Sequence, residues 1–185
     1  PKLHIRLGEI YLRWRRLADA ECAFRKALEI HEDAARAWQG LSTVYRRRGM
    51  NQETADTALN AVGLLHRLPE AHFNLGVALA RSGDTERARV ALETALKFRP
   101  AMIRAHRWLA VLYAHDPEHS AKATFHRLEV ARLQASVQQA RPATQDRRDR
   151  LFDLPPIPPP RERLVILDRE RPLPKPKPTK SGKTF

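Results

Sequence analysis

Apolar residues in the first 140 positions recur every three or four residues, and bulk and smallness alternate on a longer period of 34. Leu7, Gly8, Tyr11, Ala20, Phe24 and Ala27 open the pattern. Trp38, Leu41, Tyr45 and Ala61 hold equivalent places one period on, and Leu75, Gly76, Leu79, Ala88, Leu92, Ala95 and Pro100 follow. A fourth window supplies Leu109, Ala110 and Tyr113, and a one-residue deletion brings Ala121 and Phe125 into line. Turn residues punctuate the same period. Gly49 and Gly83 stand where a helix ends in a left-handed residue, Asp84 can cap the helix after it, and Asp116-Pro117 supplies a cap and a first helical residue. The pattern predicts helices over about 2–16, 18–31, 35–48, 52–66, 70–82, 86–98, 103–115 and 117–139, an all-α chain.

Each position has a physical reason. Gly8, Gly76 and Ala110 are small, which lets the first helix of each pair approach its neighbours, and Ala20 and Ala88 do the same on the second helix. Tyr11, Phe24, Tyr45, Leu92, Tyr113 and Phe125 fill the spaces between pairs, as ridges enter grooves. The run W-x2-L-G-x2-Y, A-x3-F, A, P resembles the tetratricopeptide repeat over about 1–136. His4, Trp38, His72 and His106 share the tryptophan place of that motif. The second window departs furthest, with Ser42 for Gly and Thr54 for the first Ala. The resemblance implies a right-handed superhelical solenoid of helix-turn-helix repeats at 1–34, 35–68, 69–102 and 103–140, the last with a C-terminal helix.

In such a stack the first helices line a concave face, and the resemblance implies that this face binds a partner. Projecting those helices places Lys2, Ile5, Glu9 and Arg13 in the groove, then Arg36, Gln39, Thr43, Arg46 and Arg47. Glu70, Phe73, Val77 and Arg81 follow, then Arg104, Arg107, Val111 and His115. The expected groove is mostly basic, with an apolar strip at Phe73, Val77 and Val111, and it suits a protein or peptide carrying acidic and apolar residues. The family's dicarboxylate clamp for chaperone tails fits poorly. Asn74 and Arg104 match clamp positions, whereas Gln39, Thr43 and Trp108 stand where the clamp wants Lys, Asn and a basic residue.

The last 45 residues change character. Residues 141–185 hold 10 of the 14 prolines, including Pro155-Pro156-Ile157-Pro158-Pro159-Pro160 and an alternating run over Pro172–Pro178. They read as a basic, extended, mostly disordered linker. Arg141-Pro142 is expected to end the eighth helix, with a short helix possible over 143–153 and one apolar run at Leu164-Val165-Ile166-Leu167. The net charge of +13 is shared evenly, 22 Lys+Arg against 15 Asp+Glu over 1–140 and 12 against 6 in the tail. Charge so dispersed favours acidic partners in general, and the aromatic platforms of nucleic-acid binders are missing.

No chemistry converges. Eight histidines invite a metal, but His4, His72 and His106 are one repeated slot, and Pro117 separates His115 from His119, so no metal and no cofactor is expected. Cys22, the single cysteine, reads as a buried inert thiol. Ser181-Gly182-Lys183-Thr184 lacks the upstream glycine of a phosphate-binding loop, and no nucleophile–base pair is visible. The chain reads as a non-enzymatic, cytoplasmic interaction scaffold without a membrane-spanning run. The alternative is a non-catalytic repeat segment of a larger multidomain bacterial enzyme, regulating it or presenting its substrate. The opening at Pro1 in mid-pattern reads as a fragment.

Overall fold

The computed structural model describes residues 1–114 and 116–152, with the backbone alone for 117 and 140–152. Its helices are α1 (Lys2–Arg13), α2 (Leu17–Ile30), α3 (Ala35–Arg48), α4 (Asn51–Leu64), α5 (Pro69–Arg81), α6 (Thr85–Phe98), α7 (Ile103–Ala114) and α8 (Ser120–Phe152). A 3-10 turn at Pro117–His119 precedes α8, and there is no strand among the described residues. The compact unit Pro1–Pro142 is an all-α solenoid. Helices α1, α3 and α5 each pack on the next even helix, α2, α4 and α6 each pack on the following odd one, and α8 meets α7 through His126 and His106. In addition α1 approaches α3, α3 approaches α5, and α5 approaches α7, whereas α2, α4 and α6 make no such approach to one another. A row of hairpins whose odd helices crowd together curves, with those helices on the inner side.

Small residues permit the crowding. A Cβ on Gly8 would lie 2.6 Å from the Phe24 ring, one on Gly40 would lie closer still to the same edge of that ring, and one on Gly76 would lie 2.6 Å from Leu92 Cγ. Phe24 and Leu92 are fully buried. In the 34-residue register Phe24, Ala58 and Leu92 are equivalent on the even helices, and Gly40, Asn74 and Trp108 are equivalent on the odd ones. Where the even helix carries the large Phe24 the odd one carries Gly40, and where it carries the small Ala58 the odd one carries the larger Asn74.

The tryptophan slot carries the same hydrogen bond with either ring type. Trp38 Nε1 donates to the Glu32 carbonyl at 2.8 Å. His72 Nε2 donates to the His66 carbonyl at 2.8 Å, and His106 Nε2 to the Pro100 carbonyl at 2.9 Å. Each ring N–H reaches six residues back and satisfies a carbonyl where the preceding helix has ended, the kind of orphan acceptor a helix terminus leaves. The carbonyl acceptor fixes the proton of His72 and His106 on Nε2.

Turn chemistry agrees with the spacing. Gly49 and Gly83 are left-handed at φ 80° and 88°, and the Asp84 side chain accepts from Arg87 N at 3.1 Å. Arg15 stands at the same place in the first hairpin and is also left-handed, at φ 60°. A side chain there costs about 1–2 kcal/mol that glycine avoids. This turn ends α1 at Arg13 rather than at the expected residue 16.

Other expectations are corrected. Phe125 is 56% exposed; the buried residue is His126, which lies on the unbroken 34-step from Leu92 and bonds His106 Nδ1 through its own Nδ1 at 2.9 Å. No deletion is therefore needed in the fourth hairpin. Cys22 is exposed, because the buried face of α2 is set by Ala20, Glu21, Ala23, Phe24 and Ala27. The eighth helix does not stop at Arg141-Pro142 but runs to Phe152. A proline inside a helix removes one hydrogen bond, and the flanking Gln138, Gln139, Ala140 and Ala143 are good helix formers. Residues 153–185, with the Pro-rich runs and Leu164–Leu167, lie outside the described residues, as does His115.

Candidate functional site

The inner surface is made from one stripe of each odd helix. Arg36 opens α3 and is exposed. One turn on, Gln39 is half-buried, and its carbonyl accepts from the hydroxyls of Ser42 at 2.8 Å and Thr43 at 3.1 Å. Arg46 and Arg47 end the same stripe, Arg81 lies at the end of α5, and Arg104 and Arg107 lie on α7; Arg47, Arg81, Arg104 and Arg107 are exposed. The surface is basic, as the sequence implies.

The apolar strip is not there. Phe73 and Val77 are 2% and 1% exposed and belong to the core with Met102, Leu109 and Leu112. Curvature brings α3 and α7 over these positions of α5. The guanidinium of Arg46 lies 5.4 Å from the Phe73 ring centre and that of Arg104 lies 4.8 Å from it, so two cations roof the ring. Val111 alone remains exposed, at 54%, in a shallow depression with Arg107, Ala110, Ala114, Arg127 and Val130.

Asn74 is also fully buried. It donates through Nδ2 to Ser42 Oγ at 2.8 Å and Thr43 Oγ1 at 3.0 Å, and accepts from Arg46 Nε at 2.7 Å through Oδ1. Every polar atom of its side chain is engaged, so Asn74 ties α5 to α3 instead of offering itself to a ligand. Ser42, which replaces the small glycine of the motif, is the acceptor that this bond requires.

Burial is the main cause that pushes Arg46 down to about 10, and the guanidiniums of Arg104, Arg47 and Arg81 push the same way against Glu70. Arg46 stays charged at neutral pH, in a neighbourhood rich in cations. Glu70 is the carboxylate on this surface that is paired: it accepts from Arg99 at 2.6 Å and from Arg104 at 2.8 Å. The Glu70–Arg104 pair joins residues one period apart, a signal present in the sequence that the helix projection treats only as groove composition. Arg13, Arg47 and Arg81 also repeat at 34, and two of them use the position alike. Arg47 Nη1 donates to the Leu12 carbonyl at 2.6 Å and Arg81 Nη1 to the Arg46 carbonyl at 3.3 Å. Each cation thus sits at the negative end of the preceding odd helix.

The outer side holds a second repeated device. Glu21 pairs with Arg48 and Arg25 and accepts from Tyr45 Oη, across the first hairpin junction. At the same register in the third junction, Arg89 pairs with Asp116 at 3.2 Å and lies 4.9 Å from the Tyr113 ring centre. The charges are exchanged. In the middle junction these places hold Ala55, Leu79 and Ser82, and an apolar cavity of about 480 Å³ opens there between Leu59, Val62, Leu75 and Val90.

Among the described residues, no group of three or more His, Cys, Asp or Glu is placed to hold a metal ion. No described helix is long and apolar enough to cross a membrane.

Two family models, both described as tetratricopeptide repeat, match residues 1–33 and 69–101, the first and third hairpins. A search of curated proteins finds no match. The fold is similar to that of MamA, at 19% identity and a TM-score of 0.63, over 75% of this chain and 80% of that one. It is equally similar to MamA from Desulfovibrio magneticus, at 19% identity and a TM-score of 0.62, over 74% and 76%. An O-GlcNAc transferase of Thermobaculum terrenum matches at 27% identity and a TM-score of 0.65, over 71% of this chain, which spans only 25% of that larger protein. The repeat spacing, the alternating packing of odd and even helices and the matches to two of the hairpins lead to one conclusion: the chain carries tetratricopeptide repeats, matched at 1–33 and 69–101.

Proposed function

We propose that the protein is an interaction scaffold whose inner surface receives an acidic segment of a partner protein. The observation that carries this reading is the gathering of Arg46, Arg47, Arg81 and Arg104 on adjacent odd helices, with Glu70 as the paired carboxylate among them. Cations held in a concavity by a rigid scaffold focus their field and favour a complementary anionic chain. Arg36 and Arg107 extend the basic surface to either side, and the exposed Val111 supplies apolar contact at one end. With Phe73 and Val77 buried, recognition rests on charge more than on apolar side chains, so salt should weaken it.

The test is recovery of binding partners by the full chain and by an Arg81→Glu/Arg107→Glu variant, both side chains being exposed and outside the core. Loss of partners by the variant at unchanged helicity, with the wild-type complexes dissociating as salt rises, is the expected result. Equal recovery by both proteins overturns the reading.

A second reading makes the chain a non-catalytic repeat segment of a larger enzyme, which it regulates or to which it presents substrate. It is favoured by the match to the transferase, of which the aligned part is a quarter of the length. A catalytic domain encoded in the same reading frame, with turnover that changes in the groove variant, would establish it.

A further inference from the structure

The first hairpin carries an arginine where the fold asks for glycine. Arg15, Gly49 and Gly83 occupy one position of the 34-residue register, and all three are left-handed, at φ 60°, 80° and 88°. The two glycines adopt that conformation freely, and the arginine does so under strain. A strained side chain that the surrounding structure holds in place asks what that side chain does.

Its surroundings answer. Arg13, Arg15 and Arg47 line one pocket of about 470 Å³ at the α1–α2 turn, together with Leu12 and Leu17. Arg47 is held there by its bond to the Leu12 carbonyl at 2.6 Å, which leaves its other guanidinium donors free to turn to the pocket. Neighbouring arginines are neutralised: Arg16 by Asp19 at 2.7 Å and Arg48 by Glu21. Among the described residues, no carboxylate pairs with Arg13, Arg15 or Arg47. Three arginines therefore border one depression with no paired carboxylate among the described residues, and one of them is kept there against the backbone's preference.

We propose that this pocket binds a phosphate monoester dianion, either free or carried on a phosphorylated side chain. A planar guanidinium matches two oxygens of a tetrahedral anion, and a dianion offsets three cations better than a single carboxylate does. Leu12 and Leu17, which also line the pocket, offer apolar contact to the carbon to which the phosphate is attached. The pocket lies at the helix–turn edge of the first hairpin and goes beyond the inner surface described above, with which it shares Arg13 and Arg47.

The decisive variant is Arg15→Gly, which restores the residue used at the same place by the second and third hairpins and so keeps the fold. Calorimetric titration of the full chain with inorganic phosphate, in a chloride background, is expected to show saturable binding. Arg15→Gly should raise the melting temperature by a few degrees while weakening phosphate binding by roughly tenfold or more. Arg47→Gln should weaken binding without the gain in stability. A phosphoserine peptide that binds more tightly than inorganic phosphate, beside an unphosphorylated peptide that does not bind, identifies the carried form; equal affinity for the two phosphates identifies the free anion. Unchanged phosphate binding in the stabilised Arg15→Gly protein overturns the proposal. So does the absence of saturable phosphate binding by the wild type, including a case where single-stranded DNA binds it diffusely.

Discussion

Arg46 donates through Nε to Asn74 Oδ1 at 2.7 Å, and this one bond turns a residue of the expected ligand surface into a tie between two hairpins. Asn74 in turn holds the hydroxyls of Ser42 and Thr43. Replacing it with Ala leaves a half-buried guanidinium and two hydroxyls short of a partner. Asn74→Ala is expected to cost about 1–3 kcal/mol in a urea titration. Asn74→Asp retains the acceptor for Arg46 and adds a countercharge, so its cost should be smaller at neutral pH.

The Phe24 ring between Gly8 and Gly40 leaves no room for a methyl group on either side. Gly40→Ala should destabilise by about 1–3 kcal/mol through overpacking. The same change made with Phe24→Leu should cost less than the sum of the two single changes, since the smaller side chain returns the missing volume. Strict additivity in a double-mutant cycle would show that the ring does not make the close approach described.

Glu21 and Arg89 occupy the same register with opposite charge. Both are nearly buried, and breaking such a pair strands its partner. Glu21→Arg should cost about 3 kcal/mol by placing a cation beside Arg25 and Arg48. Adding Arg48→Glu should recover a large part of that loss, measured as the coupling term of the cycle. The exchanged polarity also works against mispairing, because α2 stacked on α7 would set Glu21 against Asp116.

His72 and His126 both bind protons less readily in the fold than in the unfolded chain, chiefly because burial disfavours the charged ring. For His126, His106 and Lys122 add to the effect while Glu93 and Glu129 oppose it. A base whose folded pKa is depressed is bound to fewer protons in the native state, so stability rises with pH across the window between the two values. Stability should therefore hold above about pH 6.5, the unfolded histidine value, and decline as pH falls below it. Urea midpoints at pH 8 and pH 5 test this, and His126→Phe should shrink the difference. Asp116, held below the usual carboxylate range by its hydrogen bond to His119, contributes in the same sense, its share being lost only at more acid pH.

Much of this architecture follows from local rules. The 34-residue spacing of Leu7, Leu41, Leu75 and Leu109, the glycines at 49 and 83 and the Asp84 cap fix helices, turns and hairpin order, because each depends on residues a few places away. The histidines of the tryptophan slot are legible for the same reason: one repeated position makes one repeated bond. The basic nature of the inner surface is likewise a matter of composition on one helix face.

What the sequence could not decide is how far that face stays open. A helical projection sends Phe73, Asn74 and Val77 toward the groove, and only the approach of α3 and α7 to α5 buries them. Burial there depends on curvature, a sum of small rotations between hairpins that no single helix encodes. The same holds for Phe125 and His126, where the tertiary hydrogen bond to His106 selects the inward residue. Periodicity by itself determined the elements and their order. The packing of one hairpin on the next decided which charges face solvent, and so which of them a partner can reach.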